Sequence, residues 1–128
     1  MQHNPITWFE IFVNDMARAH AFYEGLLDIK LEPQGNDTSA EAHMWVFPST
    51  ASDHGAGGAL VKRVGDEIGD GGANILIYFS CPDCDTVLAK VDAYGGRVLK
   101  EKYAIGRYGY AALITDSEGN TIGLHSKH

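Results

Sequence analysis

Hydrophobic and polar positions alternate along one stretch of the chain, then change to a helical spacing, and the whole pattern occurs twice. In "WFEIFV" (8–13) Trp8, Glu10 and Phe12 fall on one side of an extended strand, and Phe9, Ile11 and Val13 on the other. After Asp15 the spacing in "MARAHAFYEGLL" puts Met16, Ala19, Tyr23 and Leu26 or Leu27 on one helical face. A constant shift of 68 residues lays 8–27 on "LIYFSCPDCDTVLAKVDAYG" (76–95). Trp8 then meets Leu76, Ile11 meets Phe79, Asp15 meets Asp83 and Tyr23 meets Val91. Asp15 and Asp83 stand where a helix needs a side chain to accept hydrogen bonds from its first free N–H groups. The second helix is expected to bury Cys84, Val87, Leu88 and Val91.

Three short strand candidates follow each helix: 29–34, 41–48 and 57–63, then 96–101, 109–116 and 120–126. Gly95 and Gly96 stop the second helix, and Asp116 to Asn120 reads as a hairpin turn with Gly119 placed for positive φ. The pattern predicts one α+β domain over 1–128. Two β-α-β-β-β modules, 5–63 and 73–126, are joined by a glycine-rich linker at 64–72 and pair into a curved mixed sheet around a cleft.

Strand parity names the side chains that face the cleft. Trp8, Glu10 and Phe12 come from the first strand, Tyr78 and Ser80 from its counterpart, and Thr121 and His125 from the last strand; Tyr108 and Tyr110 join them as wall residues. Phe9, Ile11, Ile75, Ile77, Phe79, Ile122 and Leu124 are left to pack against helices. A cavity of aromatics with a few polar groups is how small-molecule sites are built. Glu10 is the candidate catalytic residue, because a carboxylate within a strand of Trp, Phe and Ile is costly to bury without a partner. It reads as a general base or as an anchor for a cationic or hydroxylated ligand. The competing reading is a local pair with Arg18, Lys62 or Arg107, or exposure at the mouth.

Charge and composition narrow the partners. With 128 residues and a net charge of −7, the ten Lys and Arg are scattered, which argues against nucleic acid. No run approaches the roughly 18 apolar residues of a membrane span, and "MQHNPITWFE" has no features of a secretory leader. The pair Cys81 and Cys84 forms a CxxC, but they occupy the slots of Val13 and Met16, plain core positions, and zinc would need two more ligands. Two cysteines without a disulfide framework suit a reducing, cytoplasmic compartment.

The duplicated β-α-β-β-β pattern resembles the vicinal oxygen chelate superfamily of glyoxalase I, bleomycin-resistance proteins and extradiol dioxygenases. "WFEIFVNDMARAHAFYEGLL", "GGALVK" and "YGYAALITDSEGNTIGLHS" resemble its bacterial members described as predicted enzymes related to lactoylglutathione lyase. The resemblance covers about 5–126 and implies a divalent metal held at four places. Carried over, these are Trp8, Leu76, Gly123 and the neighbourhood of Gly58 and Ala59, none of which has a side-chain donor for a metal. No metal and no cofactor are therefore expected, and glyoxalase I activity is expected to be absent. Three functions follow: a small-molecule binder with a metal-free cleft, a metal-independent lyase or isomerase using Glu10 as base, and a metalloenzyme with relocated ligands drawn from His43, His54, Glu10 or His125. An exposed first-strand edge suggests a homodimer.

Overall fold

A computed structural model describes residues 4–35, 39, 42–50, 54–63 and 74–128. The expected linker at 64–72 lies outside the described residues, as do 51–53, between the strand candidates at 41–48 and 57–63.

The first half contains strand β1 (Ile6–Val13), helix α1 (Met16–Leu27), and strands β2 (Glu32–Pro33), β3 (Met44–Val46) and β4 (Gly57–Lys62). The second contains β5 (Ile75–Ser80), α2 (Cys84–Val91), β6 (Arg97–Ala104), β7 (Tyr110–Thr115) and β8 (Thr121–Ser126). Asp15 caps α1 by accepting from the Arg18 N–H at 3.0 Å, and Asp83 caps α2 by accepting from the Asp85 N–H at 2.9 Å. Gly95, at φ 96°, ends the single 3-10 turn that continues α2. The Asp116 carboxylate accepts from the N–H groups of Glu118 and Asn120 and closes the β7–β8 hairpin, with Gly119 at φ 85°.

All eight strands form one curved mixed sheet in the order β2-β3-β4-β1-β5-β8-β7-β6. Within each half the first strand lies parallel to the last, β1 to β4 and β5 to β8. The halves join through the antiparallel β1–β5 pair, in which Phe9 faces Ile77, Trp8 faces Tyr78 and Glu10 faces Leu76. Phe9 and Ile77 are also repeat equivalents, so the approximate two-fold axis of the duplication passes between them. β1 is thus a central strand. The edge expected to recruit a partner is filled from within the chain.

Both helices lie on one face. Met16, Ala19 and Tyr23 of α1 pack on Ile11, Val13 and Leu60, and Cys84, Val87 and Leu88 of α2 pack on Ala112, Ile114 and Leu124. One of Leu26 and Leu27 was expected to be buried, but both are exposed, at 65% and 54%, in the last turn of the helix, which ends at Leu27. Cys81 and Cys84 are free thiols. Cys84 is wholly buried, its N–H donating to Ser126 Oγ at 3.1 Å. His20 stacks on Trp45 with ring centroids 4.0 Å apart. Among the described residues no helix is long and apolar enough to cross a membrane.

Candidate functional site

The sheet face that the helices leave free encloses a cavity of about 810 Å³. Trp8, Glu10 and Phe12 reach it from β1 and Tyr78 from β5, as alternation along each strand requires. Glu10 is held from both sides. The Trp8 indole N–H donates to Glu10 Oε2 at 3.1 Å, and the Tyr78 hydroxyl donates to Oε1 at 3.1 Å. Burial, and then the negative charge of Glu10, push the Tyr78 phenol far above its ordinary range, so it stays protonated and remains a donor; Tyr103 hydrogen-bonds it as well. Glu10 and Tyr78 are 68 residues apart, the repeat interval, so equivalent positions of the two halves meet across the two-fold axis as acceptor and donor.

The mouth is bridged by side chains from both halves. Gln34, after β2, donates through Nε2 to the Tyr108 hydroxyl at 3.3 Å, and Arg107 donates to the same oxygen at 3.0 Å. These two bonds lower the Tyr108 phenol from its ordinary value, Arg107 contributing most. His125 lies 2.6 Å from the Tyr108 carbonyl through Nε2. A carbonyl only accepts, so that nitrogen carries the proton.

Six of the expected residues therefore share this cavity: Trp8, Glu10, Phe12, Tyr78, Tyr108 and His125. Three do not line it. Tyr110 lies on the helix side, because its neighbours Ala111 and Leu113 take the cleft-facing positions of β7; the Lys102 ammonium sits 4.6 Å from its ring centroid. Ser80 ends β5, where its N–H meets the Pro5 carbonyl, past the limit of the cavity. Thr121 begins β8 beside the hairpin turn and borders a separate groove on the outer face. The cavity occupies only the middle of these strands, so parity alone places too many residues in it.

Sequence reasoning missed Lys100 and Tyr103 of β6, along with Met44, Val46 and Leu113. β6 departs from regular pairing between Val98 and Lys100 and again between Lys100 and Tyr103. Each irregularity resets which residues face the cleft, and no glycine marks either one.

The positions at which the resemblance places metal ligands are now resolved. The Trp8 indole N–H is a donor, with no lone pair to offer. Leu76 is fully buried beside Leu113, Phe12 and Tyr78. In the first half parity selects Ala59, opposite Glu10, since Gly58 lies under the Phe9 ring on the helix side. Gly123 lies under the Tyr78 ring, and a Cβ there would collide with it. His43 lines the cavity, whereas His54 does not. Among the described residues no group of three or more His, Cys, Asp or Glu could hold a metal ion. The residues present do not fit the metal that the resemblance implies.

The model of the Glyoxalase/Bleomycin resistance protein/Dioxygenase superfamily matches residues 5–124. The chain belongs to that superfamily. Solved structures share its fold at low identity. A methylmalonyl-CoA epimerase of Streptomyces coelicolor, in complex with 2-nitronate-propionyl-CoA, is 17% identical with a TM-score of 0.63, covering 96% of each chain. The epimerase of Mycobacterium tuberculosis is 16% identical with a TM-score of 0.63, covering 97% of this chain and 88% of its own. The Mn(II)-bound glyoxalase of Novosphingobium aromaticivorans is 22% identical with a TM-score of 0.63, covering 96% of this chain and 38% of its own. No curated protein matches the sequence.

Proposed function

We propose that this superfamily member binds a small organic molecule in the cleft without a metal ion, with Glu10 as its anchor. One observation carries the reading: a carboxylate oriented by Trp8 and Tyr78 faces an otherwise largely apolar cavity of about 810 Å³. Further support comes from the epimerase of the same fold that holds a CoA ester analogue. The metal-free part rests on the donor-poor side chains at Trp8, Leu76, Ala59 and Gly123. Thermal unfolding with and without zinc, nickel or manganese tests it. No stabilisation is expected, whereas a rise in Tm that grows with metal concentration would overturn it in favour of relocated ligands.

A second reading makes Glu10 a general base that moves a proton next to a carbonyl, as a lyase or isomerase would. Its support is that the carboxylate is already fixed in direction, which proton abstraction requires. Solvent-hydrogen exchange into bound carbonyl compounds, abolished by Glu10→Gln, would favour this reading. Binding that persists with no exchange leaves Glu10 as an anchor only.

A homodimer belongs to the proposal, its contact being the outer strip of Ile75, Ile77 and Ile122, where Ile75 is 60% exposed. Two free thiols suit the cytoplasm.

A further inference from the structure

Four polar side chains of the cavity wall lie in series. The line runs from the Glu10 carboxylate to the Tyr78 hydroxyl, on to Tyr103, and ends at Lys100, whose ammonium lies 4.0 Å from the Tyr103 ring centroid. Lys100 and Lys102 are two residues apart and would share a face in a regular strand. The irregularity between Lys100 and Tyr103 separates them. Lys102 turns to the helix side and is neutralised by Asp83 at 3.0 Å and Asp85 at 3.6 Å. Lys100 stands opposite Leu113, faces the cavity, and has no carboxylate partner among the described residues.

We infer that the ligand of the cleft is an aromatic acid bearing a hydroxyl or amino group at its far end, with the acid at Lys100 and the hydroxyl or amino hydrogen at Glu10. This rests on the small-molecule reading above. Orientation follows from charge. A ligand carboxylate at the inner end would oppose the Glu10 carboxylate, whereas at Lys100 it meets a cation with no carboxylate partner among the described residues. A carboxylate accepts and never donates, so what a ligand brings to Glu10 is a donor hydrogen. The flat Trp8, Phe12 and Tyr103 rings around the line favour an aromatic body between the two ends.

The test uses the full chain and three probes measured by calorimetry: 4-hydroxyphenylacetate, phenylacetate and the neutral 4-hydroxyphenylacetamide. The first, with both groups, is expected to bind tightest. Lys100→Met should weaken it about tenfold and leave the amide within about twofold. Glu10→Gln should weaken both hydroxyl-bearing probes by a similar factor and spare phenylacetate. If Lys100→Met leaves the acid unaffected, or the amide binds as well as the acid, the inference falls and the binding reading stands. If none of the probes binds the unmodified chain, the inference falls, and the small-molecule reading, which names no aromatic acid, still stands on its own tests.

Discussion

The Tyr78 ring lies over Gly123 and fills the space that a side chain there would need. One glycine therefore does two things: it removes a candidate metal donor and lets Tyr78 lie flat enough for its hydroxyl to reach Glu10. Gly123→Ala should cost about 1–3 kcal/mol of stability by forcing that ring to move. Urea unfolding measures the cost, and binding should weaken along with it. The CxxC pair makes a second prediction at this scale. Burial, followed by the adjacent Cys84, pushes the Cys81 thiol up to about 11. Deprotonation is disfavoured in the fold, so the reactive thiolate is scarce until pH rises toward that value. Alkylation of the native protein at pH 8 should run roughly a hundredfold slower than that of an unperturbed thiol. Mass spectrometry of iodoacetamide-treated protein reads it out, and rapid labelling of Cys81 would refute a purely structural role.

At the level of elements the helices were the most legible, since cap and apolar spacing are local. Asp15→Ala should lower stability by about 1 kcal/mol through loss of the bond from the Arg18 N–H. The shift in the midpoint of urea unfolding would show it. Strands of the first half were less legible. A strand was expected over 29–34, but only Glu32–Pro33 pairs. The Ile29 N–H turns back to the Glu24 carbonyl, the Leu31 N–H goes to the Glu24 carboxylate, and Pro33 has no N–H to give. Those donors close the end of α1 and are lost to the sheet. β6 erred the other way. It runs to Ala104, past the expected 101, and its irregular pairing brought Lys100 and Tyr103 to the cleft.

For the whole molecule, the two halves are alike in plan and unequal in cover. α1 has 12 residues and α2 has eight. Tyr23 of α1 contacts Phe47, which in turn packs on Phe9, whereas Ile75 and Ile77 at the corresponding place in the second half border an open groove. A homodimer closing that groove should show twice the 13.9 kDa chain mass in light scattering. Ile75→Glu should yield monomers that retain ligand binding, because the cleft lies on the opposite face. A monomer at all concentrations would remove the dimer from the proposal.

The sequence by itself determined the duplication, the helix caps, the faces of β1 and β5, and the lack of donor atoms at the expected metal positions. Caps and strand faces follow from spacing of 2 and 3.6 residues, which needs no knowledge of distant contacts, whereas the metal positions were named by the family resemblance. Only the tertiary structure decided that Glu10 meets Tyr78 across the two-fold axis, that Tyr110 turns away, and that Lys100 ends the polar line of the cleft. Sheet curvature and strand irregularities set those meetings, and they arise from how eight strands pack together, at a range no local pattern records.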